Sequence, residues 1–400
     1  MVLPVVRFLH TADWQLGKPY GRVKDQEKQA RLKQLRFDVI ERLAEVVQRE
    51  KLEFVVVAGD LFDSIEPTLA DVAQACSAIG AIGVPVLAIP GNHDHGGAGS
   101  FWHEAWFKNY KDDLAPNFQP LLERKPLNLA NALILPCPLN RQADTEDPLS
   151  WLQNYKFDQF DPRPRVVVAH GSVHGFGADE LIDSDDENPL AATNRLNLAA
   201  LPIESIDYIA LGDWHGLKKV AAKAWYSGCP EPDRFPKGDN YKSSQVLVVQ
   251  AERCELPQVK LETTGLGAWH QYKHRFGSDA DLDLLDKNLQ QLIGSRSGID
   301  LLLLELDGNL SLDAGVKLQN RLQQLEARLL RLKLKDHTKL TPNRSELQQL
   351  TARSSDPLIA RVAQRLQVLS GSDDQYKAKL ALLALRELHW ACMEQKYATN

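Results

Sequence analysis

Six short runs of β-branched or leucine-rich residues recur through the first two-thirds of the chain: Val5–His10, Phe54–Ala58, Val84–Ile89, Ala132–Pro136, Val166–Ala169 and Tyr208–Leu211. Apolar runs this short, bounded by polar residues, read as strands buried on both faces. Between them, Glu27–Arg49 and Thr68–Ile82 carry apolar residues at helical spacing. A chain that alternates in this way is restricted to α/β layering around mainly buried sheets. Ser244–Gln250 and Gln258–Thr263 add a further β-rich stretch that completes this first domain.

Five polar clusters follow strand ends: Asp13-Trp14-Gln15, Gly59-Asp60-Leu61-Phe62-Asp63, Gly91-Asn92-His93-Asp94-His95, His170-Gly171 and Gly212-Asp213-Trp214-His215. Ligands of open α/β sheets collect outside the carboxyl ends of strands, so the clusters point to one shared site. Their glycines let the backbone turn sharply and aim the next side chain. The cysteines (Cys76, Cys137, Cys229, Cys254, Cys392) form no C-x-x-C pair, so any metal here is held by oxygen and nitrogen.

In this order the clusters resemble the calcineurin-like binuclear metallophosphoesterase superfamily, whose motifs run D-x-H, G-D-x-x-D, G-N-H-D/E, H and G-H-x-H. Within it the chain is similar to the SbcD-type DNA repair nuclease subunit, through Phe8-Leu9-His10-Thr11-Ala12-Asp13-Trp14-Gln15-Leu16-Gly17 and Tyr226-Ser227-Gly228-Cys229-Pro230. The resemblance implies a four-layer α/β sandwich, two central sheets flanked by helices, with a small α/β capping domain and C-terminal helices. It implies two divalent cations bridged by Asp60, one completed by Asp13, Gln15 and His215, the other by Asn92, His170 and Asp213. His93 matches the catalytic histidine, with Asp94 orienting its ring.

The chain departs from the motifs twice: Gln15 and Asp213 stand where the family has histidine. Exchanging two imidazoles for oxygen donors shifts the expected metal toward Mn²⁺, with Mg²⁺ as the alternative, and away from zinc. Other residues near the motifs are weaker candidates. His10 either supports Asp13 or packs at a strand end; His95 and His174 are candidates for substrate phosphate. Trp14, Trp102 and Trp214 either stack on bases or wall the pocket, and the acidic run Asp179-Glu180 and Asp183–Glu187 restricts access or is a solvated loop.

Beyond residue 268 the pattern changes to a strand at Gln271–Phe276, a helix at Asp279–Ile293, a strand at Ile299–Leu306 and a long helix at Asp313–Leu334. After Thr341-Pro342 come two amphipathic helical stretches, Ser345–Leu369 and Asp374–Lys396. The expected domains are therefore 1–268 catalytic, 269–340 capping and 341–400 helical. Asn309–Asn400 holds 15 basic and 9 acidic residues, about +6, which leaves the preceding residues near −12. An acidic body and a basic tail place metal chemistry and partner binding in different parts of the chain.

The leading expectation is a metal-dependent DNA nuclease hydrolysing phosphodiester bonds, acting in repair or processing with an SMC-like ATPase gripped by the C-terminal helices. A homodimer formed by the catalytic domain is a further expectation. The alternatives are a phosphodiesterase for a nucleotide or other small molecule, and a weakly catalytic adaptor of an ATPase complex. No apolar stretch approaches the roughly 20 residues of a bilayer crossing, and the N-terminus lacks a basic segment before an apolar core, so a cytoplasmic protein is expected.

Overall fold

The computed structural model describes residues 4–173, 193–235, 241–354 and 356–397, and the chain divides into two compact units, Met1–Ala268 and Trp269–Asn400. The first unit runs β1 (Val5–Thr11), α1 (Gln26–Glu50), β2 (Phe54–Ala58), α2 (Leu69–Gly80), β3 (Val86–Ile89), α3 (Ala105–Leu114), β4 (Phe118–Pro120), β5 (Leu127–Asn128) and β6 (Leu133–Cys137). It continues with the single-turn α4 (Ser150–Gln153), then β7 (Arg165–His170), β8 (Ser172–Val173), β9 (Arg195–Leu196), β10 (Tyr208–Gly212), β11 (Lys218–Ala221), β12 (Ala224–Tyr226), β13 (Gln245–Glu252) and β14 (Gln258–Thr263).

Twelve of these strands build two mixed six-stranded sheets, ordered β14-β13-β1-β2-β3-β4 and β11-β12-β10-β7-β6-β5, and β8 pairs with β9. Within each, the strands that carry the polar clusters are parallel neighbours: β1 with β2, β2 with β3, and β10 with β7. Strand periodicity splits their apolar residues between layers. Phe54, Val56 and Ala58 face the second sheet, packing in one core with Phe8, Val166, Val168, Tyr208 and Ala210. Val55 and Val57 face the other way, onto Ile40 and Leu43 of α1 and Val72 of α2. The outer face of the second sheet, with Val167, Ala169, Ile209 and Leu211, is covered by Leu149 and Leu152 around α4. The first unit therefore has the two central sheets with helices outside them, and among the described residues the outer layer on the second sheet is thin.

In the second unit β15 (Trp269–Phe276), β16 (Leu301–Leu310) and β17 (Arg331–Asp336) form a parallel sheet, with α5 (Asp281–Ile293) and α6 (Leu312–Arg328) as its crossovers. Leu285, Leu289, Leu318 and Leu322 pack these helices onto Leu302, Leu304 and Leu306. A short β18 (Lys339–Leu340) pairs with the end of β16. Then follow α7 (Arg344–Thr351), α8 (Pro357–Ser370) and α9 (Gln375–Tyr397), whose own small core holds Leu350, Ala363, Leu385 and Cys392.

Two expectations are corrected here. Asp313–Leu334 is not one helix, because α6 stops at Arg328 and Arg331–Asp336 is a strand beside β16. The leucines keep a helical spacing past Arg328, but Arg331-Leu332-Lys333-Leu334-Lys335 also alternates, and pairing with β16 decides between the two periods. Ser345–Leu369 is likewise two helices, since Pro357 cannot sit inside a helix and instead starts α8 behind the Asp356 cap. Among the described residues no helix is long and apolar enough to cross a membrane.

Candidate metal centre

The loops after β1, β2, β3, β7 and β10 bring the five polar clusters together. Asp13, Gln15, Asp60 and Asp213 all have positive φ, at 54°, 45°, 53° and 103°. Such a conformation costs a non-glycine residue about 1–3 kcal/mol and persists only where the surroundings fix it. Backbone hydrogen bonds do so: Asp13 N–H donates to Gly59 O (3.1 Å) and Gln15 N–H to Asp60 O (2.9 Å), while Asp213 N–H donates to Asp13 Oδ1 (3.1 Å). The glycines at the turns leave no room for a side chain. A Cβ on Gly59, itself at φ 92°, would lie 2.2 Å from His170 Nδ1, and one on Gly91 would lie 2.1 Å from Asp60 Oδ1.

Asp13, Asp60 and His170 are buried and offer ligand atoms within 4.8 Å of one another. His170 Nδ1–H donates to Ala58 O (2.9 Å), which turns Nε2 toward Asn92 Oδ1 (2.8 Å), Asp60 Oδ1 (3.6 Å) and Asp213 Oδ1 (3.9 Å). His215 Nδ1 lies between Asp233 Oδ2 (2.8 Å) and Arg234 Nη2 (2.9 Å), and its Nε2 lies 3.9 Å from Asp13 Oδ1 and 3.4 Å from Gln15 Nε2. In both imidazoles a second partner fixes the ring so that Nε2 faces the acids, as metal-binding histidines require. Asp213 accepts from Ser172 Oγ through its other oxygen (2.8 Å).

The charges behave as an uncompensated cluster. Burial pushes Asp13 up to about 6, against the pull of His215 and His170. For Asp60 burial is outweighed by His170 and His93, so its carboxyl lies below the ordinary value. Burial also opposes charge on His170, but Asp60, Asp13 and Asp213 overcome it and raise its pKa to about 9. Buried acids sharing imidazoles whose Nε2 atoms face them are a fitting donor set for hard divalent cations, which take the place of the proton on His170.

His93 lies beside this cluster, half-buried. Its backbone N–H donates to Asp60 Oδ1 (3.0 Å) and its Nδ1–H to Asp63 O (3.2 Å). Burial works against its charged form, but Asp60 and Asp63 prevail and raise its pKa. The orienting role expected of Asp94 is corrected: its two carboxylate oxygens accept from the backbone of Gly91 (2.7 Å) and Phe62 (3.1 Å), and the Asp63 carbonyl aligns the His93 ring instead. Burial, and then Asp60, push Asp94 up to about 7.

Three aromatic candidates are settled by their surroundings. His10 is fully buried between the sheets, with Tyr208 Oη at 2.9 Å and Leu211 O at 3.2 Å, and burial lowers it to about 3, so it packs at the strand end and does not reach substrate. Trp14 and Trp102 are each 1% exposed and sit in the core under α1 and α2, where neither can stack on a base. Trp214 remains partly exposed, with Lys218 Nζ 5.1 Å from its ring centre. His95 is buried at its Nδ1, which lacks a partner among the described residues. His174 and the acidic run Asp179-Glu180 and Asp183–Glu187 lie outside the described residues.

Two site residues escaped sequence reasoning. Asp233, which anchors His215, lies just past Tyr226-Ser227-Gly228-Cys229-Pro230, and the need of a ligating histidine for a second acceptor was the only signal for it. Lys18 had none: its Nζ donates to Gln15 Oε1 (2.8 Å) and Asp63 Oδ1 (3.2 Å).

Comparison with known proteins agrees with this geometry. Residues 6–217 match the calcineurin-like phosphoesterase family, a group of hydrolases that bind two divalent metals. The chain is 30% identical over 281 residues to the SbcD component of the nuclease SbcCD from Bacillus subtilis, across 62% of this chain and 67% of that one. Among solved structures, TT1561 of Thermus thermophilus shares 9% identity over 66% of this chain and 100% of its own, with a TM-score of 0.38. A dimetal phosphatase from Danio rerio shares 14% over 65% and 99%, with a TM-score of 0.35. The family match takes in more than half of the sequence, including every motif up to His215, and the chain belongs to the calcineurin-like phosphoesterases.

Proposed function

We propose that the protein is a DNA nuclease that hydrolyses phosphodiester bonds with two divalent cations, Mn²⁺ preferred and Mg²⁺ the alternative. The observation that carries this reading is the buried Asp13–Asp60–His170 cluster with His93 alongside it. When bound, the cations supply Lewis acidity to the phosphate and make an attacking water acidic. Asp13, Gln15 and His215 would hold one cation and Asn92, His170 and Asp213 the other, with Asp60 shared between them. His93, whose charged form Asp60 and Asp63 favour against burial, donates a proton toward the leaving oxygen. Asp94 supports it through the Gly91 and Phe62 backbone. The relative named as part of a nuclease supports a nucleic acid, here DNA, as substrate. The capping role of residues 269–340 rests on the family resemblance alone.

The same relative is named as one subunit of a nuclease, which supports a partner subunit; the family resemblance makes that partner an SMC-like ATPase, docked on 341–400. In that region Leu350 and Leu385 lie in the helical core, while Leu358 and Val368 of α8 and Tyr376 of α9 are 72–77% exposed. A dimer through the catalytic unit completes the assembly.

End-labelled single- and double-stranded DNA and bis-p-nitrophenyl phosphate, assayed with Mn²⁺, Mg²⁺ and Zn²⁺, test the reading. The expected result is Mn²⁺-led cleavage of DNA and of the small diester. It is lost in Asp60→Ala together with both ions, and reduced about 10²–10⁴-fold in His93→Ala, which keeps its metals. Cleavage of the small diester alone would favour the small-molecule phosphodiesterase, and cleavage of neither the adaptor. Zinc as the best activator would contradict the oxygen-rich ligand assignment.

A further inference from the structure

The two halves of the centre are not equally open to a cation. At the His170 half, the direct partner of Nε2 among the described residues is Asn92 Oδ1, itself a proposed ligand, so a cation replaces one proton there and gains both donors. At the other half the donors are already engaged. His215 Nε2 faces the Gln15 amide nitrogen at 3.4 Å, while its Nδ1 is taken up by Asp233 Oδ2 at 2.8 Å and Arg234 Nη2 at 2.9 Å. The Gln15 oxygen, the atom able to ligate, points away from the centre onto the Lys18 ammonium at 2.8 Å. Lys18 is held there by Asp63 Oδ1 at 3.2 Å and Asp233 Oδ2 at 3.8 Å. A cation entering this half must break the Gln15–His215 contact, turn the amide, and take its oxygen from Lys18, whose positive charge repels the newcomer.

We propose that Lys18, acting through Gln15, latches the His215 half of the centre, so that the divalent cations load in order, first at His170 and only then, more weakly, at His215. This rests on the two-cation reading given above. The residue at position 15 makes the latch: an imidazole there has no oxygen for Lys18 to hold. The cation concentration that fills the second position therefore sets activity, and Lys18 is a positioning residue acting on loading.

Calorimetric titration of the metal-free chain with Mn²⁺, followed in parallel by the Mn²⁺ electron paramagnetic resonance signal, tests this. The parental chain is expected to show two steps, the second at least about tenfold weaker, with isolated-ion spectra giving way to a spin-coupled pair only in the second step. Lys18→Met, which removes the charge and keeps the stem, is expected to tighten the second step about tenfold and leave the first in place. Equal affinity for the two ions in the parental chain, or a second step unmoved in Lys18→Met, overturns the latch while leaving the two-cation reading intact. Absence of any Mn²⁺ binding overturns both. If Lys18→Met also loses the first step, Gln15→His decides: a tightened second step supports the latch, and an unchanged one overturns it.

Discussion

His170 carries a proton in the metal-free protein, because the acids around it outweigh burial and hold its pKa at about 9. A cation must displace that proton, since Nε2 cannot ligate while protonated. Apparent affinity therefore rises with pH up to about 9 and falls toward acid, where Asp13, titrating at about 6, competes as well. Calorimetry at pH 7 in buffers of different ionisation enthalpy should count about one proton released with the first ion, and a count of zero would contradict this account. Asp94 leads to a different experiment. Asp94→Ala strands the buried amides of Gly91 and Phe62 and should cost about 1–3 kcal/mol for each in urea unfolding. A loss of rate with unchanged stability would return Asp94 to the ring-orienting role. At this scale the sequence was informative about residues whose type and position after a strand declare their chemistry, such as Asp60 and His170. It misassigned Asp94 because adjacency in a loop does not mean contact: the next residue's side chain leaves in another direction. It was silent on Lys18, an ordinary surface residue type whose role comes from what the fold places beside it.

Among elements, the junction of α6 and α7 depends on a single side chain. Glu346 Oε1 accepts from Asp313 N–H (2.8 Å) at the start of α6, and Oε2 accepts from Asn343 N–H (2.7 Å) in the α7 capping box. Each helix start otherwise leaves donors unpaired, and one cap is worth about 0.5–2 kcal/mol. Glu346→Ala removes both, so the second unit should lose about 1–4 kcal/mol, read by circular dichroism during denaturation, while Glu346→Gln keeps part of it. A loss confined to a few tenths of a kcal/mol would mean that water replaces the carboxylate. The sequence marks this place only as the break after Thr341-Pro342. The strands of the first unit were legible because buried parallel strands are continuous apolar runs, as at Phe54–Ala58. Arg331–Asp336 was not, since its leucines satisfy two periods and only the neighbouring β16 chooses.

For the whole molecule, the two compact units keep separate cores, and every proposed cation ligand lies in the first. Ligand that binds only the folded state stabilises what holds it by about 2.7 kcal/mol at a hundredfold excess over Kd. Scanning calorimetry should therefore show Mn²⁺ raising the transition of Met1–Ala268, with the shift absent in Asp60→Ala; an equal shift in that variant would place the ions elsewhere. The pairing of β1 with β13, which joins Val5 to Glu252, has a consequence for synthesis. A ribosome adding about 5–20 residues per second releases the first strand about 10–50 s before its antiparallel neighbour exists. Throughout that interval one edge of β1 has no native partner, and the first sheet cannot close until β13 has been made. The nascent chain thus has to be shielded from self-association by something other than its own fold, and a strain short of chaperones should yield aggregates of this protein before it yields truncated ones.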